Sequence, residues 1–137
     1  MNSDLILTKI TSLKRCINRI KTKTPEHVEE LLDDLDLQDI IALNLERTIQ
    51  ISVDIASHII ANSDEASPTT MADSFLTLNK MGILPDDLTE RLRRSIGFRN
   101  ISVHEYDRID WEIVFSIITK NISDFSRFAK YVLESEG

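Results

Sequence analysis

The stretch DLILTKITSLKRCINRIKT, residues 4–22, decides the fold class. Its apolar residues Ile6, Ile10, Leu13, Ile17 and Ile20 recur at alternating steps of four and three, which is one face of an α-helix and not the alternation of a strand. Asp4 in the first turn and Lys21 and Lys23 near the end suit the helix dipole. The same period continues outward. A second helix is expected to start at Thr24-Pro25-Glu26, with Thr24 as N-cap and Pro25 at the first helical position, where its missing N–H costs nothing. Its apolar positions run through Val28, Leu31, Leu35, Ile41, Leu45, Ile49, Val53, Ala56 and Ile60, and a bend is expected over residues 33–38, where the apolar phase changes.

Residues 61–69 are polar and read as a loop. Thr70 can cap a short helix to about Lys80, with Asp73 at the capping-box position, and Gly82 fits its stop. Pro85 is expected to start a fourth helix with Leu88, Leu92 and Ile96 on its apolar face. Asp110 caps a fifth, with Trp111, Val114, Ile118, Ile122, Phe125, Ala129 and Val132 on one side. The expected fold is therefore all-α, an antiparallel bundle of about five helices forming one domain over residues 1–137. Gly97 interrupts the fourth helix at a cost of about 1 kcal/mol relative to alanine, which suggests the close approach of another backbone, such as a partner subunit.

Composition agrees. Three glycines and three prolines leave few tight turns for an all-β fold, and 42% apolar residues suffice for a core. The lone Cys16 excludes an internal disulfide and a multi-thiolate zinc site, and is expected to be a small apolar helix residue. Polar residues break the N-terminal apolar run and no segment is long enough to cross a bilayer, so no signal peptide and no membrane partner are expected, and the cytoplasm is the expected compartment. A net charge of −7 argues against broad nonspecific binding of nucleic acid. Charge is uneven, however: residues 9–23 are basic without an acid, residues 26–46 contain eight acids and no lysine or arginine, and arginines return at 91–99.

That second basic run leads into Arg99, His104 and Tyr106, spaced R-x4-H-x-Y. Metal-free RNA cleavage needs a proton carrier near neutral pH, which histidine supplies, and a permanent cation on the phosphorane, which arginine supplies as a planar fork. On a continuous helix Arg99 and His104 point about 140° apart, so they meet only if the helix ends near residue 102 or 103, or if a second copy completes the site. A bland reading stands beside this one: Arg99 a surface residue, His104 a cap on free carbonyls, Tyr106 a half-buried core aromatic. Arg91, Arg93 and Arg94 either guide RNA or pair with Asp86, Asp87 and Glu90. His27 and His58 lack metal-ligand spacing; His27 is expected at the surface and His58, near Asp54, to be structural, while Trp111 and the phenylalanines are expected in the core.

The runs GILPDDL (82–88) and RLRRSIGFRNISVHEY (91–106) resemble the HepT-like branch of the HEPN superfamily, and the resemblance covers essentially the whole chain. It implies a dimerising helical domain and a metal-independent ribonuclease without a cofactor, the toxin of a type VII toxin–antitoxin module. It also implies a partner, a minimal nucleotidyltransferase antitoxin that transfers AMP to the motif tyrosine. Residue by residue it implies Arg99 as phosphate stabiliser, His104 as general acid/base, Asn100 as supporting polar residue and Tyr106 as the modified regulatory residue. Bulk and negative charge on Tyr106, two residues from His104, would stand where RNA phosphate must sit. Two other functions compete: a non-catalytic substrate-binding subunit of a nucleotidyltransferase, and a structural helical dimer.

Overall fold

The computed structural model describes residues 3–136; residues 1, 2 and 137 of the expected 1–137 domain lie outside the described residues. Seven α-helices and no strand are present among the described residues: α1 Ser3–Lys23, α2 Val28–Leu32, α3 Leu35–Ala61, α4 Met71–Lys80, α5 Asp86–His104, α6 Trp111–Ser116 and α7 Ser123–Glu136. None of them is long and apolar enough to cross a membrane.

The apolar stripe of the opening stretch is the buried face of α1: Ile6, Ile10, Leu13, Ile17 and Ile20 are each at most 3% exposed. Cys16 lies beside them, buried, and burial pushes its thiol up. The stripe packs against α3, whose Ile41, Leu45, Ile49 and Val53 complete the interface. Lys9 reaches Asp54 at 4.0 Å, so α1 and α3 run antiparallel.

The expected second helix is two. It starts at residue 28, with His27 and not Thr24 as the flanking cap; the Thr24 hydroxyl instead donates back to Ile20 O at 2.8 Å and prolongs the end of α1. The expected bend is a break at Asp33 and Asp34. Asp34 caps α3 by accepting from Leu37 N–H at 3.0 Å, and Gln38 Nε2 donates to the Leu31 and Leu32 carbonyls at 3.0 and 3.4 Å. Each new helix end thus finds a side-chain partner, which is what permits a break inside an apolar pattern.

The next boundaries follow the sequence closely. Thr70 caps α4 by accepting from Asp73 N–H at 3.2 Å, and the Asp73 carboxylate takes the Thr69 hydroxyl, which holds its carboxyl below the ordinary value. At the other end Gly82 has φ +82°, Gly82 N–H bonds Asn79 O, and Ile83 N–H bonds Leu78 O, a Schellman stop. Pro85 flanks α5 one position before the first helical residue. The expected fifth helix keeps its buried face, Val114, Ile118, Ile122, Phe125, Ala129 and Val132, but a π-turn at Ile117–Asn121 divides it into α6 and α7.

Cross-links give the remaining directions. Ser102 contacts Glu46 and Tyr106 contacts Asp39, so α5 runs antiparallel to α3. Arg91 contacts Asp124 and Arg127 contacts Asp87, so α7 runs antiparallel to α5. Phe75 of α4 meets Phe128 of α7 edge to face at 5.8 Å in the centre of the core.

Candidate functional site

α5 carries the motif. Leu88, Leu92 and Ile96 lie in its buried row, and one turn on the same side of the helix presents Arg99. Replacing the next apolar residue by arginine leaves a half-buried guanidinium: Nε is buried with no hydrogen-bond partner, and Nη1 lies 3.4 Å from Asn100 Oδ1.

The helix does not fray at residue 102 or 103. It continues through His104 and closes where Glu105 N–H bonds Ile101 O at 2.8 Å, followed by a 3₁₀ turn at Tyr106–Arg108. The first of the two routes to convergence is thereby removed, because Arg99 and His104 remain about 140° apart around one axis. His104 is exposed and makes no side-chain hydrogen bond or ion pair among the described residues. It does not cap the helix carbonyls, contrary to the bland reading.

Tyr106 is no core aromatic either; it is 39% exposed. Its ring meets Trp111 edge to face at 6.0 Å, and its hydroxyl donates to Asp39 Oδ1 at 2.5 Å. Partial burial and the adjacent carboxylate both push the phenol well above the ordinary tyrosine value. Two residues before His104, the buried Ser102 donates to Glu46 Oε2 at 3.1 Å. His104 is thus flanked on both sides by residues tied to α3.

Asp39 and Glu46 were not legible as site residues. They belong to an acidic run that reads as a solvated face, and their seven-residue spacing signals only that they share a side of α3. Nothing local links residue 39 to residue 106.

The arginine cluster is paired. Arg91 lies 3.6 Å from Asp87 and 3.4 Å from Asp124, Arg93 lies 2.9 Å from Glu90, and Arg94 lies 3.5 Å from the same Glu90. Arg91 and Arg94 also line a cleft of about 330 Å³ between α5 and the π-turn, with Asn121 and Phe125 opposite. A larger cavity, about 570 Å³, lies at the far end of the bundle around His58 and Tyr131 and contains none of the motif residues. His58 contacts Asn62, while Asp54 takes Gln50 and Lys9; His27 is exposed at the start of α2. At Gly97 an added Cβ would meet nothing within 4 Å, so no backbone of this chain explains the glycine.

The fold and this helix end together define a HEPN-type helical domain. The chain belongs to the HepT-like ribonuclease family, whose model, described as "Ribonuclease HepT-like", matches residues 13–132. It is 33% identical to the mRNA nuclease HepT of Shewanella oneidensis over 92% of this chain and 94% of that protein. It is 27% identical to the tRNA nuclease HepT of Aphanizomenon flos-aquae, over 93% and 87%. Among solved structures, the tri-AMPylated Shewanella oneidensis HEPN toxin in complex with its MNT antitoxin superposes with a TM-score of 0.89 at 33% identity, covering 98% of this chain and 99% of that one. A toxin–antitoxin structure with AMP-PNP also superposes at 0.89, with 32% identity over 96% and 98%.

Proposed function

We propose that this chain, acting as one helical domain, is a metal-independent RNA endonuclease of the cytoplasm and the toxin of a type VII toxin–antitoxin module. A minimal nucleotidyltransferase antitoxin neutralises it by transferring AMP to Tyr106. The observation that carries this reading is the exposed, unpartnered His104 at the end of α5, one helical stretch from a half-buried Arg99 whose Nε lacks an acceptor. A donor of that kind is suited to a phosphate oxygen, and a free imidazole to proton transfer.

In the reaction, one imidazole takes the proton of the RNA 2′-hydroxyl while its oxygen attacks the adjacent phosphorus. Arg99 neutralises the extra charge on the phosphorane. The bond to the 5′-oxygen breaks and a second imidazole, protonated beforehand, donates to it, leaving a 2′,3′-cyclic phosphate and a 5′-hydroxyl. One chain offers one motif histidine, so His104 from two subunits supplies base and acid in a homodimer. The unbroken α5 supports the same arrangement, because it separates Arg99 from His104 within a chain. Exposed Ile101 and Val103 lie between Asn100 and His104 and are available for apolar contact between copies. Tyr106 lies close enough to His104 for an attached AMP to obstruct RNA.

The test is cleavage of RNA in excess chelator by the wild type, Arg99→Ala and His104→Ala. Cleavage with a cyclic phosphate product in the wild type alone is expected; equal cleavage in both folded variants overturns the assignment. The runner-up, a non-catalytic substrate-binding subunit of a nucleotidyltransferase, predicts instead no growth arrest when the chain is expressed alone.

A further inference from the structure

Asp39 stands on the first turns of α3, an element fixed at its start by the Asp34 cap and by Gln38. Tyr106 stands 67 residues later on the 3₁₀ turn after α5. Their hydrogen bond ties the hydroxyl of the candidate regulatory tyrosine to α3. The proton on Tyr106 Oη is directed at Asp39 Oδ1, and the Trp111 ring meets the phenol ring edge to face at 6.0 Å.

We infer that Asp39 is a catalytic residue for the nucleotidylation of its own chain: its carboxylate takes the phenolic proton as Tyr106 attacks ATP. The inference rests on the proposal that Tyr106 is the modified residue. A phenol is a poor nucleophile until it loses its proton, and here the proton is held more firmly than in a free tyrosine, so the phenolate is scarce at neutral pH. Attack therefore needs a base in contact with the oxygen. Asp39 is the carboxylate hydrogen-bonded to it among the described residues. Of the other charged groups on the neighbouring elements, Glu105 pairs with Arg108 on the same turn, and Asp110 caps α6 through the Glu112 and Ile113 N–H groups. Among the described residues, neither Asp107 nor Glu112 is hydrogen-bonded to the phenol.

The step balances. The bond between Oη and the α-phosphorus forms, the bond from that phosphorus to the oxygen bridging to the β-phosphate breaks, pyrophosphate leaves, and the proton passes to Asp39 and on to water. Asp39 cannot take the proton before attack, because a carboxylate is far less basic than a phenolate. As the O–P bond forms the phenol oxygen becomes acidic, and the transfer runs downhill to the group already bonded to it.

The experiment follows single-turnover AMP addition by intact mass, with the nucleotidyltransferase antitoxin, ATP and magnesium, on the wild type, Tyr106→Phe, Asp39→Asn and Asp39→Glu. Circular dichroism reports that each variant is folded. The wild type is expected to gain AMP-sized increments and Tyr106→Phe none. Asp39→Asn is expected to react roughly 10²–10⁴-fold more slowly at neutral pH. Its rate should climb tenfold per pH unit as phenolate forms, where the wild type is flat, and Asp39→Glu should recover part of the rate. Wild-type speed in Asp39→Asn overturns the role of Asp39 and leaves the modification of Tyr106 standing. Modification of Tyr106→Phe, or none of the wild type, overturns both.

Discussion

Arg99 and His104 lie on one unbroken helix, five residues apart, and leave it in directions about 140° apart. On the proposed mechanism, one site draws an imidazole from each subunit. Mixing wild type with inactive His104→Ala, under conditions that allow subunits to exchange, is expected to lower RNA cleavage below the wild-type chain's own share, because a mixed dimer keeps only one of the two imidazoles. Cleavage that simply tracks the amount of wild-type chain would place acid and base within one subunit.

Gly97 faces open space within this chain, so its retention has no intrachain steric reason. Gly97→Ala should stabilise the isolated fold by about 1 kcal/mol through helix propensity. If the dimer axis passes nearby, the same methyl should weaken self-association. Thermal unfolding at low concentration and sedimentation equilibrium measure the two effects separately; unchanged association would move the contact away from Gly97.

The phenol of Tyr106 is pushed up by burial and by Asp39. A group that binds its proton more tightly in the folded state contributes stability that is whole below its unfolded value, about pH 10, and is lost as pH rises beyond that toward the folded value. Stability should fall with rising alkalinity more steeply in the wild type than in Tyr106→Phe. Ultraviolet titration should show Tyr106 ionising above the ordinary tyrosine range, and Asp39→Asn should bring it back toward that range.

The arginine cluster divides by position. Arg91 reaches across to Asp124, whose side chain is 8% exposed and is bracketed by Arg127 as well. Asp124→Ala should cost about 1–3 kcal/mol, measured by denaturant unfolding, because it removes the buried carboxylate that both guanidinium groups share at the α5–α7 seam and leaves them Asp87 alone. Arg94, with a side chain 76% exposed, has only a surface pair with Glu90 to lose. Arg94→Ala should leave stability unchanged, weaken RNA binding and reduce its salt dependence by about one counterion. An unchanged salt slope would remove Arg94 from the RNA path.

Much of the fold could be read directly from residue order. The period of Ile6 to Ile20, the Thr70 cap, the Gly82 stop and the Asp110 cap are local events, each decided by residues within a few positions of one another, and each stands where the pattern puts it. The division of the second helix was legible only as a change of phase. Its real form depends on Gln38 turning back to the Leu31 carbonyl, a contact that no periodicity encodes. The π-turn at Ile117–Asn121 was invisible for the opposite reason, since the apolar face continues across it undisturbed.

The motif could be read from residue order: Arg99, Asn100, His104 and Tyr106 stand at a spacing that resembles the HepT-like family, and the proposed chemistry uses their fixed cation, imidazole and phenol. What tertiary structure decided is how they are held. The continuation of α5 through His104 sets Arg99 and His104 apart, and packing of α5 against α3 sets Asp39 on Tyr106 and Glu46 on Ser102. Helical periodicity fixes which residues share a face of one helix. It says nothing of which face of another helix, dozens of residues away, that face will meet; burial of the whole core decides that.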